Sequence, residues 1–341
     1  MTGIITAIVV LLGIIALVQI VRIFEISREV SKTDSNAVSE RDNDTQGKLL
    51  LAVMIIGIIG FFYSFYAWGG ITLPKPASEH GVDIDNLWDI TMGVIILVFL
   101  ITQPILFYFG YKYRGIKGRK ATYYEHNNKL ELIWTLVPAV VLAGIILYGL
   151  STWVEITFPD TEEDPMVVEL YGKQFGWTAR YAGEDNQLGY ANVRMIEGIN
   201  VLGIDASDQA SVDDIVVTEL HLPVGRPVML KFRAQDVIHS AYLPHFRVQM
   251  NCVPGMVTQF QFTPTVTTAE MATDPDVVRN VTEINEIRAA AGEDPYEFEY
   301  VLLCNKICGA AHYNMQMKIV VEEEEAYNKW LAEQKTFAES L

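Results

Sequence analysis

The chain has few cysteines, few basic residues in its second half and no internal repeats or long low-complexity stretches. Three cysteines in 341 residues (Cys252, Cys304, Cys308) exclude a disulfide-stapled scaffold. No Cys-x-x-Cys-His occurs, which excludes heme attachment through that motif. Residues 151–341 carry 30 acidic side chains against 13 basic ones, while residues 1–150 are balanced at 12 of each. The net charge of −17 therefore belongs to the second part, where it repels phosphates and argues against nucleic-acid binding. Such a field either attracts basic partners and speeds their encounter or serves only as a soluble surface. The first apolar run, Ile4–Val21, lacks the basic flank and small-residue cleavage site of a signal peptide, and no lipobox-like cysteine follows it.

Apolar sequence of spanning length is plentiful. Ile4–Val21, Leu49–Trp68, Ile90–Phe109 and Leu132–Leu150 each approach the ~20 residues that cross a hydrocarbon core, so four spans are expected. Pro104 and Pro138 lie inside two of them, which is tolerable where neighbouring helices compensate. Segment 111–130 carries Lys112, Arg114, Lys117, Arg119, Lys120 and Lys129 against Glu125 alone. Segment 22–48 carries Arg22, Arg28, Lys32, Arg41 and Lys48, whereas 69–89 has only Lys75. The positive-inside bias places the first two segments in the cytoplasm and everything after residue 150 outside.

From about residue 166 the pattern becomes short alternating runs: Val167–Tyr171, Ile215–Leu222, Pro227–Phe232, Met256–Phe262, Tyr296–Leu303 and Met317–Glu322. Turn residues such as Pro223-Val-Gly225 and Pro254-Gly255 bound them, which predicts a β-sandwich or barrel. Two stretches interrupt it: a polar segment at 182–214, and a helical one at 268–294 with Val278, Val281, Ile284 and Ile287 at helical spacing. Glu325–Ala338, with Trp330 and Phe337, reads as a terminal surface helix.

The chemistry concentrates in Cys304-Asn-Lys-Ile-Cys308-Gly-Ala-Ala-His312-Tyr-Asn-Met315. Thiolate and thioether are soft donors and imidazole suits copper as well as zinc, so the set favours copper. A structural zinc site would take four Cys or His ligands. The alternative is a small Cys304–Cys308 disulfide beside an ordinary loop histidine and core methionine. A further ligand from a distant strand would complete a metal site, and His239, closing a strand-like run before Pro244, is the candidate. Met250, Cys252 and His245 compete with it.

These motifs together are specific. Asp236-Val-Ile-His239-Ser, Val253-Pro-Gly255 and Cys-x3-Cys-Gly-x2-His-x2-Met resemble subunit II of cytochrome c oxidase. So do Lys129-Leu-Glu131-Leu-Ile-Trp134-Thr-Leu-Val-Pro138 and Gly172-Lys-Gln-Phe175-Gly-Trp177, and the resemblance runs from about residue 88 to about 330. It implies an all-β, cupredoxin-like Greek-key barrel, which with the four expected spans makes a membrane protein of four transmembrane helices followed by that barrel. The first two spans and both interruptions lie outside the usual pattern. Residues 1–68 would form two additional spans with a cytoplasmic loop, 69–153 a helical hairpin, 154–324 the copper domain and 325–341 the terminal helix. The barrel would hold the dinuclear copper A centre: Cys304 and Cys308 bridging, His239 and His312 terminal, Met315 and the Lys306 backbone carbonyl as weak axial ligands.

The resemblance further implies partners. Electrons would arrive from a c-type heme donor near Phe175 and Trp177 and pass to heme in subunit I. That subunit would hold the second copper site and reduce oxygen while protons are pumped. Glu131 matches an acidic residue at the entrance of a proton path, and the location would be a bacterial inner membrane with the copper domain on the periplasmic side.

Two positions depart from the pattern. Lys306 replaces a glutamate whose side chain reaches a magnesium ion at the border with subunit I, and an ammonium cannot ligate a cation. That magnesium is therefore expected to be absent or held differently. Phe175 replaces a tryptophan at the electron-receiving point, losing the indole N–H, which points to a donor held in an assembly with a quinol-oxidising complex. Three rivals fit less well. A quinol-oxidase subunit would lack the cysteine pair, a copper chaperone would show a thioredoxin-like pattern and one span, and a nitrous oxide reductase domain would be soluble.

Overall fold

The computed structural model describes residues 2–30, 39–71, 73–158 and 164–341, without the side chains of 2–10, 28–30 and 71. Four long helices come first: α1 (Thr2–Val30), α2 (Glu40–Trp68), α3 (Glu79–Lys112) and α4 (Asn128–Thr157). Ser39 caps α2 by accepting the N–H of Asp42 at 3.1 Å, and Pro104 and Pro138 are accommodated inside α3 and α4. Among the described side chains, leucines, isoleucines and valines lie exposed along these helices, as expected of segments that face lipid rather than a protein core.

Among the described residues three helices, α2, α3 and α4, are long and apolar enough to cross a membrane, in place of the expected four. The remaining expected span, Ile4–Val21, lies partly outside the described residues, because the side chains of 2–10 are not described; its backbone is helical.

The chain divides into two compact units, Met1–Gly69 with Ile95–Asn127, and Gly70–Val94 with Asn128–Leu341. In the first, the basic segment after α3 is tied to the start of α2. Arg114 donates to Asp44 at 2.7 Å and lies 4.1 Å from the Tyr111 ring centre, and the N–H of Lys117 donates to Glu40 at 2.5 Å.

The second unit contains two five-stranded sheets. β1 (Met166–Lys173), β2 (Gly176–Tyr181), β3 (Ile215–Val217), β5 (Val228–Ala234) and β8 (Thr258–Phe262) form one, in the order β3-β2-β1-β5-β8. β4 (Leu220–Pro223), β6 (His239–Leu243), β7 (Val248–Cys252), β9 (Tyr300–Cys304) and β10 (Gln316–Glu322) form the other, in the order β4-β10-β9-β6-β7. Each sheet contains one parallel pair, β1 with β5 and β10 with β4, and the other pairings are antiparallel. Inward residues of both sheets, among them Leu170, Leu230, Phe232, Leu302 and Ile319, form one core. The arrangement is a β-sandwich.

Several expectations need correction. Ile215–Leu222 is two strands in opposite sheets, because the chain bends at Thr218 and Glu219 and crosses the sandwich there. β2 was not anticipated, since its buried Arg180 breaks the alternation, and β7 was hidden by its exposed Gln249 and Asn251. His239 opens β6 rather than closing a strand.

The expected terminal surface helix is a pair, α7 (Glu324–Ala332) and α8 (Phe337–Ser340), the latter closed by a Thr336/Glu339 capping box. Tyr327 and Phe337 are buried, and Trp330 stacks on His221 at 3.9 Å, so this end packs against the sandwich. The expected helical stretch is α5 (Thr268–Met271) followed by α6 (Pro275–Ala291).

The stretch before α3 also belongs to the sandwich. Ala77 is buried and donates its N–H to the carbonyl of His245 at 2.7 Å, and Ser78 donates to the Phe246 carbonyl at 2.7 Å. Arg247 grips Asp85 with two nitrogens at 2.8 and 2.9 Å.

Candidate metal centre

β9 and β10 pair in antiparallel register, Leu303 opposite Gln316, and the loop between them is closed at its base. There the N–H of Cys304 donates to the Met315 carbonyl at 3.0 Å. The N–H of Asn305 donates across to Ser240 of β6 at 2.9 Å, which seats the loop beside His239. Backbone bonds thus tie together the two ends of the loop that carries the candidate donors.

The donor atoms converge. The sulfurs of Cys304 and Cys308 are 3.8 Å apart. His239 Nδ1 lies 3.8 Å from the Cys304 sulfur, and His312 Nδ1 lies 3.6 Å from the Cys308 sulfur. Met315 Sδ is 3.7 Å from the Cys308 sulfur, and the carbonyl oxygen of Lys306 is 3.2 Å from the Cys304 sulfur. The free thiols leave the small-disulfide alternative without a bond. Every residue proposed from the sequence as a ligand is brought to this place.

The competing residues have other surroundings, although Cys252 lies next to His239. His245 packs edge-on against Phe298 and Tyr300, where burial and then the Arg247 charge lower its pKa to about 4. Cys252 is buried opposite His239 in the β6–β7 register, and burial pushes its thiol up to about 12. Met250 sits opposite Ala241 in the same register.

The sequence assigns Asp236 no role beyond its place in the motif before His239, and the geometry gives it one. His239 Nε2 lies 2.8 Å from Asp236 Oδ1. Burial alone would raise the pKa of Asp236, but bonds from the N–H of Gln174, from His239 and from the N–H of Val237 outweigh it and lower that pKa. A carboxylate only accepts, so Nε2 carries a proton toward Asp236, and Nδ1 is the nitrogen that faces the sulfurs. The legible signal was an acid three residues before a candidate ligand.

Gly172 lets the His239 ring approach β1. A Cβ there would stand 3.0 Å from the Trp177 ring and 3.3 Å from His239. Trp177 is buried and meets the His239 ring edge to face at 6.0 Å. Phe175 is 40 % exposed and covers Gly309, whereas Ile307 and Tyr313 of the loop are almost fully exposed. Glu131 lies exposed in the first turn of α4, where a negative charge also complements the helix N-terminus.

The donor set fits a soft transition metal. Burial, then the neighbouring Cys304, hold the Cys308 thiol up at about 11, so ion binding must release its proton. Two thiols, two imidazole nitrogens and a thioether match copper better than a hard cation, which prefers oxygen ligands.

Comparison with known proteins agrees with the motifs. The family model described as the cytochrome c oxidase subunit II transmembrane domain matches residues 66–152, and the model of its periplasmic domain matches residues 166–270. The alternative cytochrome c oxidase subunit 2 of Bradyrhizobium diazoefficiens is 33% identical over 292 residues, covering 85% of this chain and 92% of that protein. Cytochrome c oxidase subunit 2 of Thermostichus vulcanus is 24% identical over 314 residues, 85% of each chain. A chain in the cryo-EM structure of a heme–copper terminal oxidase dimer covers 57% of this chain and 98% of its own length, at 14% identity and a TM-score of 0.31. The chain belongs to the cytochrome c oxidase subunit II family, whose members are parts of heme–copper oxidase complexes.

Proposed function

We propose that this chain is the electron-receiving subunit of its oxidase and that its outer domain, a cupredoxin-like Greek-key barrel, holds a dinuclear copper A centre. The supporting observation is the convergence of His239, Cys304, Cys308, His312 and Met315, with the Lys306 carbonyl, on one place at the end of the sandwich. In this reading Cys304, Cys308, His239 and His312 would hold the copper as its stronger donors, and Met315 and the Lys306 carbonyl would be its weaker ones. When bound, the copper pair supplies one-electron transfer. The chain's own contribution is rigidity: backbone bonds between β6, β9 and β10 fix the ligands, and Asp236 keeps His239 in one tautomer.

The donor is a c-type heme protein that docks over exposed Phe175, Ile307 and Tyr313, with Trp177 lying inward against His239. The smaller Phe175 favours a donor held in an assembly with a quinol-oxidising complex. Electrons then pass to heme in subunit I, which carries the second copper site. The Lys306 side chain is exposed and leaves any magnesium at that border absent or held by other groups. Four spans, with residues 22–48 and 111–130 in the cytoplasm of a bacterial inner membrane, set the outer domain on the periplasmic side and Glu131 at the cytoplasmic mouth of a proton path.

The test uses full-length chain purified in detergent and loaded with copper. Wild type should show the optical and EPR spectra of a mixed-valence copper pair, lost in Cys304→Ser and His239→Ala. A mononuclear spectrum, or one that survives both substitutions, contradicts the reading. In the assembled oxidase, Glu131→Gln should slow proton uptake and Phe175→Trp should speed reduction by soluble cytochrome c, both with an unchanged copper spectrum. Turnover kinetics identical to wild type would remove both roles.

A further inference from the structure

The turn between β1 and β2 touches the candidate metal centre from the opposite sheet, and Gln174 makes the polar contacts. Its N–H donates to Asp236 Oδ2 at 2.8 Å, while Asp236 Oδ1 receives His239 Nε2 at 2.8 Å. Its side-chain Nε2 donates to the Cys308 carbonyl at 2.5 Å. One residue therefore closes a hydrogen-bonded path from the His239 ring, through a carboxylate, to the backbone of Cys308. β1 and β2 belong to one sheet, and β6 and β9 to the other, so this path crosses the sandwich at the end where the donors meet.

The approach is too close for any residue but glycine at the next position. Gly309 has φ +144°, and a Cβ there would stand 2.8 Å from the Phe175 ring and 2.9 Å from the Gln174 amide nitrogen. A carboxylate at position 174 would face the Cys308 carbonyl with an acceptor, and a shorter side chain would not reach it. The amide supplies a neutral donor of the required length.

We propose that Gln174 is a positioning residue that clamps the Cys304–Met315 loop against the strand carrying His239, and thereby sets the donor geometry before any metal binds. As a claim about copper it rests on the function proposed above; as a claim about the loop it stands on the metal-free chain. Residues that orient ligands rather than bind metal typically change metal affinity by ~10–100-fold when altered.

The experiment compares full-length wild type, Gln174→Met and Gln174→Glu in detergent. Without metal, alkylation of Cys308 should become several-fold faster in both variants, while buried Cys252 stays as slow as in wild type. With copper, both variants should release the metal to a chelator about tenfold faster, with shifted EPR hyperfine splittings. Wild-type labelling and an unchanged copper spectrum in Gln174→Met would overturn the proposal. So would equal acceleration at Cys252, which would mean general loosening of the fold. Faster Cys308 labelling in a chain that takes up no copper would sustain the clamp and remove the copper reading instead.

Discussion

Residues 182–214 and residues 268–294 are both long departures from the strands of the outer unit, and opposite means hold them. The first is polar and irregular, yet buried charge pins it. Arg180 of β2 reaches its Gly189 carbonyl at 2.7 Å and pairs with Asp214, both side chains being almost wholly buried. Arg233 of β5 holds Glu169 and reaches the Leu202 carbonyl at 3.3 Å. Leu202 and Ile204 then complete a small second core with Tyr171 and Phe337. The second departure is regular, with α6 capped by Asp274 at its start and Gly292 at its end. Its apolar stripe nevertheless points outward, Ile287 being 72 % exposed, while Val277 is the side chain that packs on the core. Buried charge marks where the first segment meets the sandwich, whereas helical periodicity does not mark the face by which the second one does.

The largest expected effect lies in the first segment. Asp214→Ala removes the close partner of buried Arg180, leaving it Glu169 at 3.7 Å, and should cost about 3 kcal/mol, read as a lower melting temperature of the outer unit. Burial holds the Asp214 carboxyl up at about 6 against the pull of Arg180. The folded chain then keeps a proton that the unfolded chain, at 3.8, has released, so wild-type stability should fall as pH rises from about 3.8 to 6. Asp214→Asn should remove that slope. A loss under 1 kcal/mol, or an unchanged slope, would break the contrast between the two segments.

The smallest effect lies in the second. Ile287→Ser should change stability by no more than about 0.5 kcal/mol, as expected for an exposed site. A loss comparable to that of Asp214→Ala would mean that this stripe is covered and that the two segments are held alike.

The same contrast explains what was readable in advance. The candidate donors were legible as a set because soft donors at close spacing are rare and their chemistry is specific. The strands with apolar alternation, such as β1, β5 and β10, were legible for the same reason that they are stable. β2 was not, because Arg180 is buried by pairing rather than by hydrophobicity, and no single-residue pattern records its partner on Asp214. The break between β3 and β4 was hidden because both halves are apolar on both sides of the crossing. For α6 the period was correct, but periodicity identifies a stripe without saying what covers it. Asp236 and Gln174 went unassigned because their roles depend on atoms brought together from both sheets.

The central claim is a copper pair shared by Cys304 and Cys308. The most direct test is to count metal and spin together on the purified full-length chain, copper by elemental analysis and unpaired electrons by EPR of the oxidised form. The account predicts two coppers per chain carrying one delocalised spin, with both coppers lost in Cys308→Ser. One copper per chain with one localised spin, or copper bound equally by Cys308→Ser, would contradict it.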